Sequence, residues 1–208
     1  QNYKINYINL LNNKYLKKIL IKKLNDPHYK AIPGFKPNYN LKLLTARSAR
    51  NKLDLHLDTY FPFKGKNTFM MQVVILLEDS KKENGCTIAV KGSHKSGKYS
   101  NRKSKNISFI EGNAGDLILW DSRLWHGTQR NKSKLTRWAI IATFGCWWVK
   151  SFMDITKSIP QSIYKQCNNE EKSILGFCSI PPINEKYRIT SKCGYKYLKK
   201  NKNEYWRK

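Results

Sequence analysis

Short apolar runs separated by turn residues constrain the fold of this chain more than any other feature. No long helical stretch interrupts these runs, and several short strands with turn signals between them are typical of a double-sheet jelly roll. We therefore predict a mainly β fold with flanking helices. The predicted strands are residues 41–46, 53–60, 68–77, 86–90, 108–110, 116–121 and 138–144, and we expect the first two to pair with each other.

The second of these runs carries the side chains best suited to chemistry. Residues 53–58 read LDLHLD, so leucines alternate with polar residues. A period of two places the leucines on one face of a strand and His56 and Asp58 together on the other. His126, in the later segment WHGT, can supply a third ligand from a distant strand. Two histidines and one carboxylate with open positions opposite them suit non-haem Fe(II), so the sequence predicts that these three residues bind iron.

Further motifs accompany this triad in the order and spacing of one enzyme family. They are LLED at 76–79, ENG at 83–85, GSH at 92–94, GD at 115–116, HGT at 126–128 and Arg137, and they extend across about half of the chain. On these motifs the chain resembles the phytanoyl-CoA dioxygenase family, which are Fe(II)- and 2-oxoglutarate-dependent oxygenases. The resemblance implies a cupin-like double-stranded β-helix, with Fe(II) as the metal and 2-oxoglutarate and O2 as co-substrates.

The resemblance also implies roles for individual residues. His56, Asp58 and His126 would be the catalytic metal ligands. Arg137 would hold the far carboxylate of 2-oxoglutarate, because a guanidinium pairs with a carboxylate through a planar fork that lysine lacks. Its apolar neighbours indicate a buried arginine, which needs an anion. Thr128 matches the family's hydroxyl at the same carboxylate. Gln72 is a further 2-oxoglutarate candidate, and an outward-facing strand amide is an equal alternative.

The presence of Asp58 bears on the reaction. Related halogenases replace this carboxylate with a small residue, so the resemblance implies oxygen transfer to an unactivated C–H bond, with release of succinate and CO2. For the substrate we expect a polar or anionic small molecule. Four residues are candidates for contacting it, and for Trp147 a place in the core is the stronger alternative. The four are Arg50, Tyr60, Arg123 and Trp147.

The formal net charge of +26 allows two interpretations. One is attraction to a polyanion such as nucleic acid. The other, which we favour, is a genome rich in A and T, because lysine greatly outnumbers arginine and asparagine, isoleucine and tyrosine are abundant. Nucleic acid is therefore not expected as a partner.

Other function classes remain as alternatives. The first is a non-catalytic jelly-roll binding module with a basic surface for nucleic acid or anionic glycan. A nucleic-acid demethylase of the same chemistry is disfavoured, because no second arginine follows Arg137 at the spacing R-x5-R. A cupin-type metal enzyme would need a further histidine near His56.

The organisation of the chain is expected to be simple. We predict one domain over residues 1–208, with a helical and loop cover at 1–40, a jelly-roll core at 41–149, and a cover and tail at 150–208. Residues 3–25 are predicted to be helical, and 91–106 to form a surface loop over the site. The cysteines are odd in number without C-x-x-C, which favours a reducing, cytoplasmic setting. No apolar run approaches the roughly 20 residues of a membrane span.

Overall fold

The computed structural model describes residues 10–25, 37–48, 50–101 and 104–180. Short β-strands dominate this part of the chain. In order, the strands are β1 Tyr39–Arg47, β2 Leu53–His56, β3 Met70–Leu76, β4 Thr87–Ala89, β5 Ser108–Ile110, β6 Leu117–Asp121, β7 His126–Thr128 and β8 Ala139–Cys146. The helices are α1 Lys14–Leu24, α2 Ile155–Ser158, α3 Gln161–Gln166 and α4 Asn169–Ile174, with a 3-10 turn at Ser93–Lys95.

The strands form two four-stranded sheets, ordered β1-β8-β3-β6 and β2-β7-β4-β5. The pairs β2–β7, β3–β6, β4–β5 and β4–β7 are antiparallel. Each sheet therefore joins strands that lie far apart in sequence, which is the connectivity of a jelly roll. This confirms the predicted fold class. The expected pairing of the first two strands is wrong, because the chain crosses from one sheet to the other between β1 and β2 instead of turning back on itself.

The chain divides into two compact units. The first comprises residues 1–43 and 144–208. Its helix α1 begins where the Asn13 side chain accepts hydrogen bonds from the backbone N–H groups of Tyr15 and Leu16, which leaves fewer unpaired donors at the helix end. The helix buries leucines on one face and, as predicted, ends before Asn25. The prediction of a continuous helix is wrong at residues 12 and 13, which are not helical. The helical prediction for 3–9 and the predicted tail at 181–208 lie outside the described residues.

The second unit comprises residues 44–143 and contains most of the strands. Two clusters of apolar side chains lie among its described residues. One joins Leu55 of β2 to Ile88 and Val90, and the other joins β3 to the start of β8 through Val74, Leu76 and Ala139. Burial of these side chains stabilises the sheets, and the first cluster joins β2 to β4, the strands on either side of β7.

Two further observations concern the predictions on cysteines and membranes. Cys86, Cys146, Cys167 and Cys178 are all buried free thiols. Among the described residues, no helix combines the length and the apolar character that crossing a membrane requires.

Candidate metal centre

His56 and His126 face each other across two neighbouring strands. They are register partners of β2 and β7, and their ring centroids are 4.3 Å apart. In each ring Nδ1 lies 2.9 Å from a backbone carbonyl two residues earlier, that of Asp54 or of Leu124. A carbonyl can only accept, so Nδ1 carries the proton and donates. Nε2 of each ring is thus left with a lone pair for a metal.

Asp58 completes the cluster from the turn that follows β2. Its Oδ1 lies 3.5 Å from Nε2 of His56, and its Oδ2 lies 3.3 Å from Nε2 of His126. The potential ligand atoms of all three residues lie within 4.8 Å of one another. The predicted strand extended to Tyr60, but β2 ends at His56, so a turn and not strand alternation brings Asp58 beside the histidines.

The donor set fits a divalent metal. Asp58 Oδ2 is buried and has no hydrogen-bond donor within the described part of the chain. A buried carboxylate oxygen without a donor is costly unless a cation faces it. Two neutral imidazoles and one carboxylate are the ligands of the facial triad that binds non-haem Fe(II), with the remaining positions open.

The pKa shifts of Asp58 and His126 suit metal binding, whereas the shift of His56 favours its protonated ring while no metal is bound. Burial raises the pKa of Asp58. The hydrogen bond that His56 donates when its ring is doubly protonated, the charges of protonated His126 and His56, and a hydrogen bond from Gln72 outweigh that effect and leave the pKa below its usual value. Burial lowers the pKa of His126, against the opposing charge of Asp58. The hydrogen bond with Asp58 raises the pKa of His56. At neutral pH the cluster therefore offers a carboxylate and, at His126, an unprotonated ring.

Arg137 lies just before β8 and is only 7% exposed. Its Nε is buried without a hydrogen-bond partner among the described residues, and burial lowers the pKa of the guanidinium. Its backbone N–H donates to Ser48 Oγ at 3.2 Å. On either side of it, the Thr136 hydroxyl and the Trp138 N–H donate to the carboxylate of Glu78, each at 2.8 Å. These bonds hold the segment on both sides of the buried Arg137 in place.

Two other predicted 2-oxoglutarate residues have structural contacts of their own. Thr128 Oγ1 accepts the backbone N–H of Leu53 at 3.2 Å. Gln72 is buried in β3, and its Oε1 accepts the Thr143 hydroxyl at 2.8 Å. The outward-facing alternative for Gln72 is therefore wrong. Its amide contributes to the low pKa of Asp58, so it orients a candidate ligand.

Residues 3–139 match the sequence model of one family, described as Phytanoyl-CoA dioxygenase (PhyH). The chain belongs to the phytanoyl-CoA dioxygenase family. It is 24% identical over 130 residues to the uncharacterized proteins Rv1501 of Mycobacterium tuberculosis and Mb1539 of Mycobacterium bovis. Each alignment covers 61% of this chain and 48% of the relative, so the chain spans about half the length of the curated relatives it matches.

Solved structures similar to this phytanoyl-CoA dioxygenase family member include HygX from Streptomyces hygroscopicus. With nickel, 2-oxoglutarate and hygromycin B bound, HygX has a TM-score of 0.55 at 17% identity, over 70% of this chain and 66% of HygX. The structure of HygX with iron bound has a TM-score of 0.52 at 17% identity, over 70% of this chain and 69% of HygX. This likeness shows that the fold is shared.

The predicted substrate residues of this family member are not all available to a ligand. Arg123 is only 4% exposed, and its guanidinium donates to Asp121 and to the Gly65 carbonyl. The prediction that Arg123 meets an anionic substrate is corrected, because its guanidinium is buried and already forms an ion pair with Asp121. Arg50 is exposed. Tyr60 is 75% exposed and has a φ of 61°, a left-handed conformation that is uncommon outside glycine.

Trp147 belongs to the first unit, where its backbone N–H donates to the Asn38 carbonyl at 3.1 Å. Its contact with substrate stays a prediction.

Three residues with contacts to the predicted site residues or their neighbours were not predicted from the sequence. Glu78 accepts hydrogen bonds from the residues on either side of Arg137. The ring of Trp120 lies 4.9 Å from that of His126, and Asp121 pairs with Arg123. The D-x-R spacing at residues 121–123, shortly before His126, is the signal that would have identified the last pair. A carboxylate and a guanidinium two residues apart at a strand end can pair locally.

Proposed function

We propose that this protein is an Fe(II)- and 2-oxoglutarate-dependent dioxygenase that hydroxylates an unactivated C–H bond of a polar or anionic small molecule. In the balanced reaction, substrate, 2-oxoglutarate and O2 give the alcohol, succinate and CO2. The convergence of His56, Asp58 and His126 carries the proposal. Membership of the phytanoyl-CoA dioxygenase family supports it, and so do the metal and 2-oxoglutarate bound in the HygX structures.

The metal would be held by Nε2 of His56, one carboxylate oxygen of Asp58 and Nε2 of His126. Bound Fe(II) supplies the activation of O2, with 2-oxoglutarate providing two of the electrons. Three protein ligands leave coordination positions open for both co-substrates. The backbone carbonyls of Asp54 and Leu124 keep both rings in the ligating tautomer.

Arg137 would bind the far carboxylate of 2-oxoglutarate. The support is its burial, its unpartnered Nε and the absence of an ion pair to it among the described residues. A buried guanidinium gains most from a bidentate carboxylate. Thr128 would add its hydroxyl to the same carboxylate. Gln72 would act through Asp58, whose pKa it helps to lower.

Two loops beside the centre support an anionic substrate. Residues 59–67 follow Asp58 directly. Residues 91–101 contact Trp125, the neighbour of His126. The backbone N–H of Trp125 donates to Ser93 Oγ at 2.8 Å, and its Nε1–H donates to the Lys98 carbonyl at 3.0 Å.

The segments that contain these loops carry positive charge only. Neither residues 59–77 nor residues 84–110 contain Asp or Glu. Their described lysines are exposed and make no ion pair with any described residue: Lys64, Lys66, Lys91, Lys95, Lys98 and Lys105. We call these six lysines the lysine rim. Because all its charges are positive, it should attract an anionic substrate. Arg50 and Tyr60 are the exposed candidates for direct contact.

Anaerobic addition of Fe(II) and 2-oxoglutarate to the protein tests the assignment of the cofactors. We expect a weak visible metal-to-ligand charge-transfer band in the wild-type protein. The variants His126→Ala and Asp58→Ala should lack it, while Lys157→Ala, on exposed helix α2, should retain it. Wild-type protein that binds 2-oxoglutarate and Fe(II) without any such band would contradict the proposal.

Succinate release from a substrate library tests the substrate class. Anionic compounds should stimulate turnover more than matched neutral or cationic ones, and their KM should rise with ionic strength because salt screens the lysine rim. Preferential stimulation by cationic compounds would refute the anionic assignment while leaving the cofactor assignment intact.

A further inference from the structure

One turn, at residues 121–124, carries the backbone groups that orient two of the three candidate ligands. The Asp58 N–H donates to the Ser122 carbonyl at 2.9 Å. The Leu124 carbonyl lies 2.9 Å from Nδ1 of His126 and so accepts its proton. The Leu124 N–H donates to the Asp121 carbonyl at 2.8 Å, which closes the turn. A shift of this turn would therefore displace Asp58 and rotate His126 together.

The side chains of Asp121 and Arg123 lock that turn. Asp121 Oδ1 accepts both the backbone N–H and the Nε–H of Arg123, each at 2.9 Å. Oδ2 accepts Nη2–H of Arg123 at 2.8 Å and the Thr68 hydroxyl at 2.7 Å. The pair is thus a bidentate fork with an additional backbone bond, and both carboxylate oxygens are fully used. Arg123 is buried, so solvent screens this pair little.

The same pair also holds the loop that follows Asp58. Nη1 of Arg123 donates to the Gly65 carbonyl at 3.0 Å. Its guanidinium carbon lies 4.2 Å from the centroid of the Phe63 ring, which in turn stacks on Phe69 with centroids 4.4 Å apart. Arg123 therefore connects the turn before His126 with the segment after Asp58.

We propose that Asp121 and Arg123 are positioning residues for the metal centre, which fix the turn whose carbonyls hold Asp58 and His126. The inference rests on the proposed metal site. Arginine is required here, because lysine cannot at once form the fork, reach Gly65 and stack on Phe63. Neither residue touches the metal ligands' donor atoms; both act through the backbone of Ser122 and Leu124.

Two measurements on metal-free protein test the proposal without turnover. The first is the affinity for Co(II), followed by its visible absorption. Arg123→Lys and Asp121→Asn should weaken it about 10- to 100-fold, the loss typical of groups that orient ligands. The second is the imidazole ¹⁵N–¹H spectrum of His126, which should show an Nδ1–H tautomer in the wild-type protein and a tautomer mixture in both variants.

Leu16→Ala is the control for general destabilisation. Leu16 is a buried residue of α1, so its truncation should cost stability without changing the Co(II) affinity or the His126 tautomer. Wild-type affinity and tautomer in Arg123→Lys would overturn the proposal, as would an equal loss in Leu16→Ala. If wild-type protein binds no Co(II) yet the tautomer depends on Arg123, the proposed function fails and the positioning role stands.

Discussion

Arg137 combines three properties at the scale of a single residue. It is charged, it is buried, and its Nε has no hydrogen-bond partner among the described residues. Its backbone is nevertheless fixed, through Ser48 and through the contacts of Glu78 with the residues on either side. A buried, unpaired guanidinium lowers stability unless an anion compensates it. This combination is the basis for proposing Arg137 as the carboxylate anchor.

Replacing Arg137 by lysine keeps the charge and removes the fork. We expect KM for 2-oxoglutarate to rise about 10- to 100-fold, corresponding to about 1–3 kcal/mol of lost binding. Steady-state succinate production at varied 2-oxoglutarate measures this. The exposed Arg130→Lys is the matched control and should leave that KM unchanged. An unchanged KM in Arg137→Lys would remove the assignment of this residue as the anchor.

At the scale of elements, the close approach of β2 and β7 creates the metal centre. Strand β7 lies between β2 and β4, with Leu53 opposite Thr128 and Ala89 opposite His126. A Cβ on Gly127 would lie 2.3 Å from the Leu53 carbonyl oxygen and 3.1 Å from that of Asp54. Only glycine permits this separation, and the same separation brings the two histidine rings together.

Gly127→Ala should therefore push β7 away from β2. We expect the free energy of unfolding to fall by about 1–3 kcal/mol, as for overpacked interiors, and the metal affinity to fall with it. Urea denaturation and Co(II) titration measure the two effects. Ser108→Ala, an exposed position on β5, serves as the control. A Gly127→Ala protein as stable as the wild type would show that the strands tolerate a wider separation.

At the scale of the whole molecule, the charge of +26 disfavours the compact state through repulsion between like charges. Most of the described lysines are exposed, where solvent screens the repulsion between their charges. Lys42, in contrast, is 1% exposed. Its Nζ donates to Asn40 Oδ1 and to the Val149 carbonyl, neither of which carries a charge. Burial lowers the pKa of Lys42 from its usual 10.5 to about 8.

Stability should consequently rise with pH above neutrality. Between about pH 8 and 10.5 the unfolded chain binds a proton at Lys42 that the folded chain has lost, so the free energy of unfolding increases with pH there. The variant Lys42→Met isolates the contribution of this buried lysine. Between pH 7.5 and 10 the wild-type increase should exceed that of the variant by about 2 kcal/mol. Denaturation at pH 7.5 and 10 measures the free energy of unfolding of both proteins. An equal change in the wild type and in Lys42→Met would place the pKa of Lys42 near its ordinary value.

Local patterns were enough to predict much of this protein. Alternation and turn residues predicted the strands and the jelly roll, because a half-buried strand must repeat its polarity every two residues. The short motifs around His56 and His126 identified the residues that the fold brings together. The apolar neighbours of Arg137 predicted its burial, and the motif order predicted the phytanoyl-CoA dioxygenase family, which the family match confirms.

Contacts between distant segments settled the rest. Three features depend on groups that come together only on folding. They are the strand that pairs with β1, the approach of Asp58 to the histidines from a turn, and the contacts of Arg123 with Asp121, Gly65 and Phe63. Periodicity records which face of a segment is buried. It does not record what that face meets, because partners of equal polarity are interchangeable until packing and hydrogen-bond geometry select one of them.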